Sequence, residues 1–507
     1  MGPAYPGAVP SSPAQQPPSD DAAQPVSDAP APAPGDHATP PRAATARGSG
    51  RGTPGDPAAS APSRAPGLNR QILALAVPAF GALIAEPLFL LADSAIIGHL
   101  GTAELAGVGI ASTLVQTVVG LMVFLAYSTT PAVARHLGAG RMADALRGGR
   151  DGLWTAAGLG VVLAAVGAAV MRPLLRAMGA QGEVLDHATS YALWSLPGLV
   201  AMLIVLAAVG VLRGLQDTTT PLLVAGVGAA VNAGLNFALV YGADLGVAGA
   251  AIGTSITQWG MALTYLVMLG RRFRVEGVAV RTSWAGIRGH LTVGSWLMLR
   301  TLSLRVAILS TVVVATAQGA ENLAAYQLTM TIFNFLAFAL DALAIAAQAL
   351  LGKELGARDV SRQQDRDAVR LLMRRLLRWG LGFGVVTGLL VGVLGPRLGF
   401  LFTDSQDVQA LFGVSLLVVA VGQPVAAFVF VLDGVLIGAG DARYLALAGV
   451  VNLVVYLPLL WAVAQWGGTG AAGAVWLWLA YAGGYTGARA ATLGWRIRGS
   501  RWMLAMA

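Results

Sequence analysis

The stretch Gly210-Val-Leu-Arg-Gly-Leu-Gln-Asp217 occurs a second time, in related form, as Gly434-Val-Leu-Ile-Gly-Ala-Gly-Asp441. Further upstream, Leu137-Gly-Ala139 matches Leu355-Gly-Ala357. Matching residues are 218 positions apart in the early pairs and 224 apart in the later ones, so one short insertion reconciles them. Self-similarity of this kind predicts a duplicated half of about 210 residues, and the duplication determines the architecture.

The composition indicates a protein that lies in a membrane. Of the 507 residues, 56% are hydrophobic and 11% are charged, and the mean hydropathy is +0.67. A soluble domain has roughly 25% charged residues, so this chain lacks the polar surface that water requires. The chain has no cysteine and five scattered histidines, which excludes disulfides and thiolate metal sites. It also has no phosphate-binding Gly-Lys-Ser/Thr motif, so we expect neither a cofactor, nor a metal site, nor ATP-driven chemistry.

Twelve apolar segments of about 20 residues or more predict an all-α polytopic membrane protein. Six spans per half place both halves in the same orientation, so we expect two parallel six-helix repeats around a central cavity. The predicted spans lie near residues 71–99, 104–136, 146–173, 183–214, 219–241, 246–270, 289–316, 322–352, 367–394, 407–438, 443–464 and 470–493. The predicted regions are a disordered tail (1–66), an N-terminal lobe (67–271), a linker (272–290), a C-terminal lobe (291–495) and a basic tail (496–507).

The positive charges follow the predicted topology. Arginines cluster in the connections after even-numbered spans, in the midpoint loop and at the C-terminus, whereas the opposite loops carry few. Positive residues stay on the cytoplasmic side, so we expect a protein of the bacterial inner membrane with both termini in the cytoplasm. The net charge of +8 therefore reflects topology and predicts no nucleic-acid partner. The expected partners are the lipid bilayer and small molecules, and the expected state is a monomer.

Two carboxylates lie in the first span, where ionisable residues are rare and functional by default. Glu86 and Asp93 are seven residues apart, which places them on one helix face about 10 Å apart along its axis. An apolar environment disfavours the charged form of a carboxylate, so such a group can take up and release protons. Pro78 and Pro87 each remove a backbone hydrogen bond, so this helix can bend. The alternative is a fixed ion pair between one carboxylate and Arg300 or Arg305.

Further polar residues lie in later spans. Asn232 and Asn236 are an i, i+4 pair that could hold a cation, hydrogen-bond to Asp93 or join helices. Thr254 is a candidate of the same kind. Arg300 is expected to pair with Asp341 in a structural ion pair. The repeat aligns Asp93 with Thr311 and Asn232 with Tyr456, so the polar site is expected in the N-terminal half alone.

Two strings carry a family resemblance. Asp93-Ser-Ala-Ile-Ile-Gly-His-Leu-Gly101, followed by Glu104-Leu-Ala106, resembles the first span and loop of the multidrug and toxic compound extrusion (MATE) family. The segments Leu299–Leu302 and Phe338–Gly352 resemble the seventh and eighth spans of its DinF-like branch. The resemblance covers residues 70–495. It implies twelve spans in two lobes that export amphipathic or cationic drugs and metabolites in exchange for protons or sodium.

The resemblance also assigns roles to single residues. It implies that Asp93 is the coupling carboxylate, that Pro78 is where the first helix bends, and that Asn232 and Thr254 belong to the same polar site. Relatives often have Asp where this chain has Asn236, and the lost charge favours a proton over sodium.

We expect an ion-coupled antiporter without enzymatic activity, and three alternatives to it stay open. A flippase for lipid intermediates would have two extra spans and a strongly basic cavity. An integral-membrane enzyme acting on polyprenyl lipids would need an acidic or metal-binding surface loop. A channel would dissipate gradients instead of coupling them.

Overall fold

The structure is a computed structural model that describes residues 67–505, apart from the side chains of Glu86 and residues 89–92. The tail predicted at residues 1–66 lies outside this range. The described chain is helical and has no β-strand. Its α-helices are α1 (Leu68–Gly98), α2 (Thr102–Met122), α3 (Phe124–Gly138), α4 (Met142–Ala177), α5 (Gly182–Gly214), α6 (Thr219–Phe237), α7 (Gly246–Val275), α8 (Trp284–Ala317), α9 (Ala320–Ala357), α10 (Gln363–Leu394), α11 (Gln406–Gly438), α12 (Ala442–Trp466), α13 (Gly470–Trp478) and α14 (Thr486–Arg498).

These helices form twelve membrane-crossing segments, as predicted. The helices α2 and α3 make one span with a break at Val123, and a π-helical turn at Leu479–Tyr485 joins α13 to α14. A second π-helical turn, Ala238–Gly242, extends α6. Ten segments of the described chain are long and apolar enough to cross a membrane by composition alone. The other two, α7 and the α13–α14 segment, are richer in small and polar residues.

The repeated glycines perform the same packing role in both halves. A Cβ atom on Gly210 of α5 would lie 2.9 Å from the Ala126 Cα of α3, so only glycine allows this approach. A Cβ atom on Gly434 of α11 would lie 2.8 Å from the Ala344 Cα of α9. The partners Ala126 and Ala344 are themselves 218 positions apart, so each half packs its helices in the same way. We call α1–α7 the N-lobe and α8–α14 the C-lobe.

The two lobes contact each other through a pair of equivalent glycines. A Cβ atom on Gly138 of α3 would clash with the Lys353 carbonyl oxygen of α9. A Cβ atom on Gly356 of α9 would clash with the Arg135 carbonyl oxygen of α3. Gly138 matches Gly356 in the repeat, and Arg135 matches Lys353. The contact is therefore two-fold symmetric, which is the relation expected of parallel repeats.

Further contacts between the lobes lie toward the same end of the molecule. The Gln348 side-chain amide donates to the Tyr127 carbonyl oxygen at 3.3 Å, and the Gln216 amide donates to that of Ala349 at 2.9 Å. At the C-terminus, Arg135 donates to the Met503 carbonyl oxygen at 3.1 Å. The lobes are thus packed together on the side of the arginine-rich loops, which we call the basic side.

The structure describes the whole of the predicted linker and most of the predicted basic tail. Helix α7 continues to Val275 and α8 starts at Trp284, so helices cover both ends of the predicted linker. In the predicted basic tail, Arg496 donates to Asp441 at 2.6 Å, and Trp502 is fully buried. The tail therefore packs against the C-lobe.

Candidate functional site

Asp93 is the centre of a buried hydrogen-bond network between three helices of the N-lobe. The Asn236 side-chain amide of α6 donates to Asp93 Oδ1 at 2.5 Å. The Thr254 hydroxyl of α7 donates to Asp93 Oδ2 at 3.5 Å. Both oxygens of the carboxylate therefore accept a hydrogen bond. Among the described residues, no Arg, Lys or His forms an ion pair with Asp93, so its charge is held by neutral dipoles alone.

The two asparagines connect the rest of the network. Asn232 Nδ2 donates to Thr254 Oγ1 at 3.0 Å, and Asn236 Nδ2 lies 3.3 Å from Asn232 Oδ1. Their i, i+4 spacing on α6 brings both side chains to the face that packs against α1 and α7. Both asparagines are fully buried, and Asp93 is 5% exposed. Asp93 is the one group of the four that can bind and release a proton.

The network borders a cavity of about 250 Å³. Asp93 and Thr254 line this cavity, whereas Asn232 and Asn236 lie behind them as a supporting layer. Apolar and aromatic side chains form most of the wall. Asp341 of the C-lobe also borders the cavity. A molecule in this cavity would therefore contact both lobes and the Asp93 carboxylate.

The predicted residues around Asp93 thus meet in space, although their roles stay predictions. The structure brings together Asp93, Asn232, Asn236 and Thr254. The Glu86 side chain lies outside the described residues. Pro78 and Pro87 both lie inside the continuous helix α1, so the predicted bend concerns a helix that is unbroken in this conformation.

The ionic partner of Arg300 differs from the prediction. Arg300 of α8 donates to Asp433 of α11 at 2.7 Å, and Arg489 of α14 donates to the same carboxylate. Asp341, the predicted partner, forms no ion pair within the described part of the chain, although it lies within electrostatic range of Arg300. Asp433 accepts hydrogen bonds from two arginines, whereas Asp341 accepts from neither of them. This triad also removes Arg300 as a partner for Asp93.

The triad is expected to stabilise the C-lobe strongly. Replacing Asp433 with Asn leaves two arginines without their buried counter-ion, and breaking a buried pair in this way costs about 3–5 kcal/mol. Thermal unfolding in detergent, followed by Trp fluorescence, measures the effect. The control is Asp341→Asn, which removes a half-buried carboxylate of the C-lobe that makes no ion pair among the described residues. Equal melting temperatures for the two variants would contradict the assignment.

Sequence reasoning missed Arg213 as a cavity residue. Arg213 of α5 and Tyr127 of α3 line the cavity near Asp341, and Arg213 is within electrostatic range of both. A signal was present in the repeat, because Arg213 lies inside the duplicated stretch where the second copy has Ile437.

The equivalent position in the C-lobe is aromatic and uncharged. Thr311 and Tyr456, the counterparts of Asp93 and Asn232, hydrogen-bond to each other through their hydroxyl groups at 2.6 Å. Trp478, which is 224 positions after Thr254, stacks on Tyr326 with ring centroids 5.5 Å apart. The C-lobe therefore repeats the contact between helices but has no carboxylate at this site. The predicted restriction of the polar site to the N-terminal half agrees with this arrangement.

A duplicated helical bundle with a buried carboxylate beside a cavity between its lobes is the architecture of a secondary transporter. The MatE family model matches residues 78–238 and 300–462, more than half of the chain. DNA damage-inducible protein F of Escherichia coli is 31% identical over 406 residues, covering 77% of this chain and 86% of that protein. The chain belongs to the MATE family of secondary transporters and is DinF-like.

Other relatives and solved structures agree with this placement. The chain is 28% identical to Protein DETOXIFICATION 45, chloroplastic, of Arabidopsis thaliana, over 75% of this chain and 70% of that protein. The bent form of the Vibrio cholerae MATE transporter VcmN superimposes with a TM-score of 0.77 at 22% identity, covering 86% of this chain and 97% of that chain. A MOP superfamily transporter from Pyrococcus furiosus gives a TM-score of 0.74 at 22% identity, over 86% and 96% of the two chains. At these identities the superpositions show the fold.

Proposed function

We propose that this protein is a proton-coupled antiporter that exports amphipathic or cationic small molecules by alternating access. The observation that carries the proposal is the Asp93 carboxylate, which lies at the cavity wall, accepts hydrogen bonds from Asn236 and Thr254 and forms no ion pair among the described residues. A buried carboxylate without a cationic partner has a strong requirement for a proton or a bound cation. Either a proton or a cationic substrate can neutralise the Asp93 carboxylate, but the two cannot do so at the same time.

This competition gives an exchange mechanism. A proton on Asp93 turns one acceptor oxygen into a hydroxyl group, which donates a hydrogen bond and is a weaker acceptor toward Asn236 or Thr254. Protonation therefore rearranges the network and weakens the attraction for a cationic substrate. Release of the proton restores the charge that binds the substrate. Since each lobe arrangement exposes the site to one side, the two ligands move in opposite directions.

The geometry of the network favours a proton over sodium. Hard cations need several oxygen ligands around one point. Asn236 presents its N–H group to Asp93 and adds no negative charge beside it. A sodium ion would have to displace this donor.

The basic loops suggest the orientation. Positive residues stay on the cytoplasmic side, so both termini lie on the cytoplasmic side of a bacterial inner membrane. The lobes then contact each other on the cytoplasmic side, so this conformation corresponds to a cavity that opens outward. Bending of α1 at Pro78 or Pro87 would change the surroundings of Asp93 during the cycle, because all three residues belong to one helix.

The cavity wall suggests the class of substrate. Met202, Met261, Leu199 and Tyr191 provide an apolar and aromatic surface around Asp93. Met side chains adapt to ligands of different shapes, and aromatic rings attract cations. A flippase of lipid intermediates is less well supported, because the fold has twelve spans and the cavity wall has Asp93 and Asp341 beside Arg213. An enzyme acting on polyprenyl lipids is also less well supported, because the described residues contain no metal-binding group of three acidic or His residues.

The test uses purified protein in liposomes loaded with the dye ethidium. An imposed pH gradient, with sodium equal on both sides, is expected to drive ethidium transport and proton counterflow, followed with a pH-sensitive dye. A sodium gradient at constant pH is expected to drive none. Transport driven by sodium alone would refute proton coupling. Dye movement without proton counterflow would refute antiport.

A further inference from the structure

A lateral groove separates the lobes on the surface of the bundle. It lies between α1 of the N-lobe and α9 and α10 of the C-lobe, with a volume of about 860 Å³. Its wall is apolar along most of its length. Several side chains stay exposed to the surroundings, among them Val77 at 63%, Phe335 at 54% and Leu390 at 54%. In a membrane protein an exposed apolar surface of this kind faces the acyl chains of the bilayer.

The end of the groove nearest to the basic side is polar. Arg375 and Arg378 line it together with Asn69 and Trp379. The Trp379 indole donates to Asn69 Oδ1 at 3.1 Å, which joins α10 to the start of α1. Tryptophan prefers the boundary between the hydrocarbon region and the headgroups, so this end lies at headgroup depth.

The two arginines have no acidic partner in the described part of the chain. Two other arginines of this region do have acidic partners: Arg358 pairs with Glu354 at 2.5 Å and Arg370 with Asp367 at 3.4 Å. Arg375 and Arg378 are exposed, are separated by about one helical turn, and point to the same groove. Two free guanidinium groups at headgroup depth fit a phosphate, which guanidinium binds in a bidentate manner.

We propose that this groove is a binding site for an anionic phospholipid of the leaflet on the basic side. Its phosphate lies between Arg375 and Arg378, and an acyl chain follows the groove toward Leu390. From Arg378 to Leu390 the helix rises about 18 Å. Half of the hydrocarbon thickness is about 15 Å, so one acyl chain matches the apolar length.

A lipid in this groove contacts both lobes. It lies where Trp379 and Asn69 already connect α10 to α1, on the side where the lobes are closed. An occupied groove therefore adds to the contacts that hold the lobes together there. The proposal rests on the groove and its arginines and is independent of the coupling ion.

Native mass spectrometry tests the proposal on full-length protein released from membranes that contain equal amounts of phosphatidylglycerol and phosphatidylcholine. One basic residue near an anionic headgroup strengthens binding roughly fivefold. Two arginines are therefore expected to make the wild type retain phosphatidylglycerol over phosphatidylcholine by about twenty-five-fold. The double variant Arg375→Gln/Arg378→Gln is expected to retain the two lipids equally.

Two further variants make the result specific. Arg271→Gln/Arg274→Gln removes two exposed arginines with the same spacing, at the basic-side end of α7, and is expected to keep the preference. Gly382→Phe fills the groove without a change of charge, since a Cβ atom there meets open space, and is expected to lose the retained lipid. A preference that survives in Arg375→Gln/Arg378→Gln or in Gly382→Phe overturns the proposal. An equal loss of the phosphatidylglycerol preference in Arg271→Gln/Arg274→Gln also overturns the proposal, because any pair of exposed arginines on the basic side would then attract anionic lipid.

Discussion

Replacing Asp93 with Asn is expected to abolish proton-driven export while the protein stays folded. Asparagine has nearly the same size and leaves an oxygen that can accept from Asn236. It cannot, however, bind and release a proton at physiological pH. Since the other three members of the network are Asn232, Asn236 and Thr254, no remaining group of the network can take over this role. The proton gradient would then have no link to the substrate.

The expected loss is large because the gradient supplies all the energy of accumulation. One proton moved across 100 mV releases about 2.3 kcal/mol. At about 1.4 kcal/mol per decade, this energy sustains a substrate gradient of about forty-fold. In everted vesicles, Asp93→Asn should reduce the accumulation ratio of ethidium to about one. The control Ser112→Ala, which changes the same cavity wall outside the network, should transport like the wild type. Full transport by Asp93→Asn would remove Asp93 as the coupling residue.

Replacing Gly138 with Ala is expected to open the lobes on the basic side. The added Cβ atom would clash with the Lys353 carbonyl oxygen, and a backbone atom cannot rotate away as a side chain can. Overpacking of this kind costs about 1–3 kcal/mol. At about 1.4 kcal/mol per decade, the closed conformation becomes roughly five- to a hundred-fold less populated. Transport should fall in the same variant, because each cycle requires the closed state.

Spin labels can measure this opening directly, since the chain has no cysteine. Labels on Arg141→Cys and Arg362→Cys lie on exposed positions of the basic side in opposite lobes. The distance between them should increase in Gly138→Ala. Gly270→Ala is the matched control, because a Cβ atom at this end of α7 meets open space. An unchanged distance in Gly138→Ala would show that the contact does not limit closure.

The sequence predicts the fold well because membrane segments obey simple rules. Length and hydropathy identify the spans, and the repeat gives the relation between the halves. Much of the polar site was also predictable: Asn232 and Asn236 share one helix face through their spacing alone. A hydrogen bond to Asp93 was one of three roles that the residues themselves allowed, and the family resemblance placed Asn232 and Thr254 in the same polar site as Asp93.

The partner of Arg300 could not be predicted because depth in the membrane does not identify the facing helix. Asp341 and Asp433 both lie on long spans of the C-lobe, and the packing of α8 against its neighbours selects Asp433. Arg489 lies near the end of the last span, where an arginine usually reaches the headgroups, so nothing in the sequence indicates its inward direction. Similarly, the repeat relates Gly138 to Gly356 but does not reveal that both copies lie in one contact.

The symmetric glycine contact has the geometry of an isologous interface, in which two surfaces of the same kind pair about a two-fold axis. Gly138 meets Lys353 as Gly356 meets Arg135, so each lobe presents the other with the same surface. In this respect the chain resembles a homodimer whose subunits are joined by a covalent connection. A single surface, used twice, closes the molecule on one side. The same change made in both copies would therefore change the free energy of the closed conformation by about twice the effect of one copy.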